Sequence, residues 1–154
     1  MIEAEHNSDV FEAIDTHLSN DTPVVFFHGC NARGVMGSGV AKQVKEKWPE
    51  AYEGYASVCE DHKPDELTGR NIWWEDGNLQ VMNGITQHDY GSDEKAYANP
   101  NHIRRCIRNA EFRSCPDDTR FLTVRVGCGL GGLNWLTVRP IFEQSRLPWE
   151  VYNL

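Results

Sequence analysis

Thr22-Pro-Val-Val-Phe-Phe-His28 is a continuous run of apolar, β-branched and aromatic residues. Such a run predicts a strand buried on both faces, as in a sheet covered by helices. It leads into a loop at residues 29–37 with three glycines, and a helix is predicted to begin near Ser38. In layered α/β sheets, ligands bind beyond the carboxyl ends of the strands, where such loops gather.

The rest of the chain alternates strands and helices around this unit. Further strands are predicted at residues 2–6, 68–74, 79–86, 120–126 and 149–154. Further helices are predicted at residues 9–18, 49–60, 100–115 and 135–144. Glu75-Asp-Gly-Asn78 is a turn signal that pairs the strands on either side of it. Residues 61–66 and 87–99 are predicted polar loops, the second either covering a site or merely connecting elements. The predicted fold class is therefore α/β.

Length and composition exclude several classes of protein. The 154 residues suit one domain, residues 1–154, and the net charge of −8 argues against a broad surface for nucleic acid. No apolar run approaches the roughly 20 residues that span a bilayer. The acidic N-terminus lacks a secretory pattern, and five cysteines without a CxxC pair favour a reduced, cytoplasmic compartment. The six histidines form no metal-ligand spacing, so neither a metal nor a cofactor is expected.

A second glycine-rich loop, Gly127-Cys-Gly-Leu-Gly-Gly132, also follows a predicted strand and precedes a helix. Glycines let backbone N–H groups turn toward a ligand, and a helix start adds partial positive charge. Two such loops side by side suit a pyrophosphate flanked by two sugars, although each alone is also typical of an ordinary turn. A Rossmann motif is rejected because that motif belongs to the first βαβ unit, and residues 151–154, where its ribose-binding acid is expected, contain no acidic residue.

Several polar residues border the two loops. His28 suits an acid, base or nucleophile, or equally a core histidine bonded to backbone. Asn31 suits contact with a sugar hydroxyl or a turn, and Arg33 suits a phosphate contact or a solvated surface. Cys30 and Cys128 are interpreted as small packing residues. The remaining candidates, which either border the crevice or form a plain polar loop, are Gln87, His88, Asp89 and Tyr90.

Residues 28–41, 47–55 and 127–135 together resemble the macrodomains, in the branch of ADP-ribose-1''-phosphate phosphatases and ADP-ribosyl glycohydrolases. The resemblance implies a three-layer α/β/α sandwich with a mixed central sheet, and ADP-ribose as the recognised group. It implies that Asp9 bonds the adenine amino group, that Val10 meets the adenine edge and that residues 127–132 surround the pyrophosphate. Asn31 and residues 34–37 would hold the distal ribose. The full predicted binding set is Asp9, Val10, Cys30, Gly34, Val35, Met36, Gly37, Gly39, Gly127, Cys128, Gly129, Leu130, Gly131 and Gly132.

The resemblance also bears on the reaction. Glycohydrolases of this branch carry a lysine where this chain has Gln87, and one carries an aspartate where it has Gly131. A histidine at position 28 matches the phosphatase instead, so we expect metal-independent hydrolysis of ADP-ribose-1''-phosphate to ADP-ribose and phosphate. The expected catalytic residues are His28, Asn31 and Asp89. The alternatives are a glycohydrolase acting on modified protein or nucleic acid, and a reader without chemistry. The expected partner is the small-molecule ligand alone, bound by a monomer.

Overall fold

The computed structural model describes residues 1–91 and 96–153. Its strands are β1 (Ile2–His6), β2 (Val24–Asn31), β3 (Asn71–Asp76), β4 (Leu79–Gln87), β5 (Arg120–Val124) and β6 (Trp149–Tyr152). They form one sheet in the order β1-β6-β5-β2-β4-β3. All neighbouring pairs are parallel except β3 and β4, which are antiparallel. The sheet is therefore mixed, as predicted.

Helices cover both faces of this sheet. They are α1 (Val10–Ser19), α2 (Gly39–Lys47), α3 (Pro49–Glu60), α4 (Pro64–Leu67), α5 (Pro100–Ala110) and α6 (Trp135–Glu143). The first four pack into one hydrophobic cluster, while α5 and α6 pack into the other. Strand β2 supplies Val24 and Phe26 to the first cluster and Val25 and Phe27 to the second, all four fully buried. This confirms the predicted three-layer α/β/α sandwich.

The structure corrects the bounds of several predicted elements. Strand β2 continues to Asn31 instead of ending at His28, because its backbone stays paired with β4 as far as Gln87. Strand β5 ends at Val124 and helix α5 at Ala110, and the short helix α4 lies in part of the predicted polar loop. Among the described residues, no helix is long and apolar enough to cross a membrane.

The parallel strands place their carboxyl ends at one edge of the sheet. The segment after β2, the segment after β4 and the second glycine loop after β5 all begin there, because β2 lies between β5 and β4. Residues 92–95 of the predicted loop at 87–99 lie outside the described residues. This edge is where the candidate site lies.

Candidate ligand-binding and active site

A cavity of about 500 Å³ opens at the carboxyl edge of the sheet, between the two glycine loops and the end of β4. The predicted site residues that line it are His28, Cys30, Asn31, Val35, Gly37, Gly39, Gly127, Gly129, Leu130 and Gly131. The two glycine loops are far apart in sequence, and they meet because β2 pairs with β5, while the end of β4 joins them because β2 also pairs with β4. A cavity of this size is ordinary for a small-molecule site.

Other predicted residues lie behind or beside the cavity wall. Those absent from its lining are Asp9, Val10, Gly34, Met36, Asp89, Cys128 and Gly132. Asp9 follows β1 at the same edge of the sheet, but its carboxylate accepts the N–H of Phe11 at 2.9 Å and caps α1. Val10 and Met36 are core residues, 1% and 2% exposed. Asp9 and Val10 therefore do not line the cavity.

His28 lies in the core at the inner wall of the cavity and is only 1% exposed. Its Nε2 is 2.5 Å from Asn83 Oδ1, while the Asn83 amide nitrogen lies 3.5 Å from the Ala51 carbonyl oxygen. The Asn83 oxygen can only accept, so the imidazole donates from Nε2 and keeps a lone pair on Nδ1. Burial lowers the pKa of His28 to about 4, against a smaller opposing effect of the Asn83 bond. At neutral pH the ring is therefore uncharged.

Cys30 lies beside this histidine on the same face of β2. Its Sγ is 3.7 Å from His28 Nε2, 3.9 Å from His28 Nδ1 and 3.9 Å from Asn83 Oδ1. Burial raises the pKa of the Cys30 thiol well above its usual value, and the neighbouring cysteines raise it further. A protonated thiol beside a neutral imidazole is not an activated nucleophile, so the packing interpretation of Cys30 fits this geometry.

Asn31 shapes the first glycine loop with its side chain. Its Oδ1 accepts the N–H of Arg33 at 2.9 Å, and its Nδ2 donates to the Val35 carbonyl at 2.7 Å. The Tyr55 hydroxyl lies 2.6 Å from the Asn31 carbonyl and 2.9 Å from its side-chain oxygen. One amide hydrogen of Asn31 remains for a ligand, because the group carries two. Both interpretations of Asn31, turn residue and ligand contact, are thus compatible with its geometry.

The second glycine loop is closely packed at Gly131 and open at Gly129. A Cβ at Gly131 would lie 2.6 Å from the Gly127 carbonyl oxygen and 2.9 Å from the Ala98 Cβ. The Gly131 carbonyl also accepts the N–H groups of Tyr97 and Ala98 at 2.9 and 3.0 Å. At Gly129, by contrast, a Cβ would meet nothing within 4 Å. The fold thus excludes a side chain from one wall position and leaves room at another.

The segment after β4 contacts both the first glycine loop and helix α4. Gln87 lines the cavity and donates from Nε2 to the Asp89 carbonyl at 2.6 Å. Asp89 lies 3.5 Å from Arg33 of the first loop, and His88 lies 3.1 Å from Asp65 of α4. Asp89 is half exposed at the rim, and Arg33, which the sequence offered for a phosphate, is directed to Asp89.

The sequence did not single out several residues of the cavity wall and floor, among them Thr86, Arg125 and Asn83. Arg125 and Thr86 line the cavity, and Asn83 holds His28 below it. Thr86 is 1% exposed, and its hydroxyl has no hydrogen-bond partner among the described residues. Arg125 and Thr86 each stand at or just beyond the last residues of a strand that feeds the edge, and that position is the signal that identifies them. Asn83 carries no such signal, since it is a polar residue inside an apolar strand.

Comparisons with known proteins assign this architecture to a family. Residues 27–142 match the Macro domain family. An ADP-ribose 1''-phosphate phosphatase of Aspergillus oryzae is 37% identical, with 96% of this chain and 90% of that protein covered. An ADP-ribose 1''-phosphate phosphatase of Debaryomyces hansenii is 44% identical over 59 residues. This match covers 37% of this chain and 33% of that protein. The DarG macrodomain of Thermus aquaticus has a TM-score of 0.72 at 20% identity, with 100% of this chain and 99% of that chain covered.

The chain belongs to the Macro domain family. The family model covers both the first glycine loop and the second, and the solved structure shares the fold over the whole chain. The resemblance drawn from the loop motifs is therefore confirmed.

Proposed function

We propose that this protein is a phosphatase that converts ADP-ribose-1''-phosphate to ADP-ribose and inorganic phosphate without a metal ion. The observation that carries the proposal is the cavity in which His28 and both glycine loops meet. The name of the Aspergillus oryzae relative, which aligns with nearly the whole chain, supports this choice of substrate.

The binding part of the proposal rests on the loops. Backbone amides at residues 127–132 hold the diphosphate, and Asn31 with residues 34–37 holds the distal ribose. Backbone amides suit this work because they stabilise an anion without adding a charged side chain. Asp9 and Val10 hold the adenine beyond the cavity wall, at the same edge of the sheet.

The chemical part of the proposal rests on His28. Acting as a base, the His28 ring accepts a proton from the water that attacks phosphorus, the bond from phosphorus to the ribose oxygen breaks, and the departing oxygen takes a proton from solvent. Acting as a nucleophile, the ring attacks phosphorus and expels the ribose oxygen, which takes a proton from solvent, and water then hydrolyses the phosphohistidine to phosphate and free histidine. A ring with a pKa of about 4 is a poor proton donor at neutral pH, so His28 acts through the lone pair on Nδ1, as base or as nucleophile. Because His28 is 1% exposed, the phosphate reaches it only from the cavity side. Asp89 assists from the rim.

A glycohydrolase that uses a lysine is less well supported. Gln87 lines the cavity at the position of that lysine, and an amide cannot form a Schiff base. The second loop leaves no room for the corresponding aspartate, because even a Cβ at Gly131 would meet the Gly127 carbonyl oxygen at 2.6 Å. The phosphatase therefore remains the better supported function.

The setting of the reaction follows from the same proposal. We place the enzyme in the cytoplasm as a monomer, with the small ligand as its partner. The five cysteines are free, three of them buried in the core, which suits a reducing compartment.

The decisive experiment measures inorganic phosphate released from ADP-ribose-1''-phosphate in the presence of EDTA. We expect release by the natural protein, and none by His28→Ala although that variant still binds ADP-ribose in calorimetry. His62→Ala, which changes an exposed histidine on the surface beyond α3, is the matched control and should retain full activity. Release that persists in His28→Ala would remove His28 from the mechanism. Absence of release by the natural protein would overturn the phosphatase.

A further inference from the structure

The cavity wall carries one full positive charge among the described lining residues, the guanidinium of Arg125. No lysine, aspartate or glutamate is found among those residues, and His28 is neutral at pH 7. Arg125 directly follows β5 and stands two residues before Gly127, where the second glycine loop begins. The charge therefore lies beside the second glycine loop, four residues of which line the cavity.

The Arg125 guanidinium has no carboxylate partner within 4.0 Å in the described part of the chain. Its Nε is buried and has no hydrogen-bond acceptor among the described residues. The charge of Arg125 helps to lower the pKa of Glu5. The two carboxylate oxygens of Glu5, however, already accept hydrogen bonds from Trp135 at 3.1 Å and from Arg139 at 3.0 Å. A buried N–H without an acceptor is unfavourable, so an oxygen-rich ligand is expected to supply one.

Trp135 lies against the Arg125 guanidinium. The Arg125 guanidinium carbon lies 5.5 Å from the centre of the Trp135 ring, within the range of a cation–π contact. This contact restricts the arginine before any ligand binds. A guanidinium held in this way offers two parallel donors to a phosphate, which a lysine cannot imitate.

We propose that Arg125, backed by Trp135, is a phosphate-binding residue of the cavity and selects for ligands that carry a diphosphate. The inference rests on the proposed function, because the ligand is taken to be of the ADP-ribose class. It adds a side-chain contact to the backbone amides of the second loop. Arg125 acts in binding and takes no part in breaking a bond.

The test compares the affinity for ADP-ribose of the natural protein with that of Arg125→Gln and Arg125→Lys by calorimetry. Loss of a charge-assisted hydrogen bond lowers affinity by about 10- to 100-fold, which we expect for the glutamine variant. The affinity of Arg125→Lys should lie between those of Arg125→Gln and the natural protein, because lysine keeps the positive charge but cannot donate two parallel hydrogen bonds. Raising the salt from 50 to 300 mM should weaken binding less in Arg125→Gln than in the natural protein.

Arg113→Gln is the matched control, because Arg113 also lies over a tryptophan, 4.0 Å from the Trp73 ring centre, but outside the cavity. It should bind ADP-ribose with unchanged affinity. A second measurement separates phosphate recognition from a general disturbance: adenosine, which lacks phosphate, should bind Arg125→Gln and the natural protein alike. If Arg125→Gln fails to fold, the lysine variant and its salt dependence supply the answer.

Two outcomes would overturn the inference. One is that Arg125→Gln binds ADP-ribose with the same affinity as the natural protein. The other is that Arg125→Gln loses as much affinity for adenosine as it loses for ADP-ribose. Failure of the proposed function looks different, because then the natural protein itself binds no ADP-ribose or releases no phosphate.

Discussion

His28 Nε2 donates to Asn83 Oδ1 across 2.5 Å, joining the central strand β2 to its neighbour β4 below the cavity. The two residues face each other in the parallel register of these strands. This bond fixes the neutral tautomer, and burial keeps the ring uncharged, as its lowered pKa indicates. Because the buried ring resists protonation, the stability of the folded protein should depend on pH.

The first consequence is a loss of stability in acid. The pKa of His28 is about 4 in the folded protein and 6.5 ordinarily, so between these values the unfolded chain binds a proton that the folded chain does not. The free energy of unfolding therefore falls as the pH is lowered from 6.5 to 4, by roughly 2 kcal/mol between pH 7 and pH 5. Urea unfolding at pH 7 and at pH 5 measures this difference in the free energy of unfolding.

The His28→Gln variant is the control for this prediction. His17 and His102 also have pKa values lowered, chiefly by burial, and both remain in the variant. The difference in pH dependence between the two proteins therefore isolates His28. An identical pH dependence would mean that His28 titrates normally in the folded protein.

A methyl group added at Gly131 should disturb the second loop, whereas one added at Gly129 should not. Neither glycine has a positive φ, so the difference is one of space: 2.6 Å to the Gly127 carbonyl oxygen against nothing within 4 Å. We expect Gly131→Ala to lower the free energy of unfolding by about 1–3 kcal/mol and to weaken ADP-ribose binding. Gly129→Ala should change stability by less than about 0.5 kcal/mol. Thermal unfolding and calorimetry measure both, and equal stabilities would contradict the packing described for this loop.

Removing the Asn31 side chain should loosen the first loop. Asn31→Ala leaves the Arg33 N–H and the Val35 carbonyl without their partners, which lie at 2.9 and 2.7 Å. We expect a loss of about 1–3 kcal/mol in stability together with weaker ADP-ribose binding. Tyr55→Phe removes a hydroxyl of the same network, so the two changes should combine to less than their sum in chemical denaturation. Additive effects would show that the network is not shared.

The rim carboxylate Asp89 offers a test that separates chemistry from structure. Its ion pair with Arg33 spans 3.5 Å between two half-exposed side chains, and such pairs contribute about 1 kcal/mol or less. Asp89→Asn should therefore leave the melting temperature nearly unchanged, while a catalytic role predicts a lower kcat. Asp65→Asn, which changes the exposed partner of His88, should alter neither quantity. A normal kcat in Asp89→Asn would exclude Asp89 from the reaction.

The local pattern of the sequence was sufficient for the fold and for the identity of the loops. An apolar run that feeds glycines predicted a buried strand at the centre of the sheet, because only strands covered on both sides lack a polar face. The loop motifs predicted the family, and the structure and the comparisons confirm both. Strand β2 ran three residues beyond its predicted end because its length depends on pairing with β4, which is distant in sequence.

Only the tertiary structure decided how the site residues are placed. The sequence left His28 open between catalysis and core, and its contact with Asn83, 55 residues away, defined its charge and tautomer. Likewise Arg125 became a candidate once the fold placed it in the cavity wall without a carboxylate partner among the described residues. The physical reason is that backbone pattern is local, whereas burial, pKa and hydrogen-bond partners depend on residues brought together by the sheet.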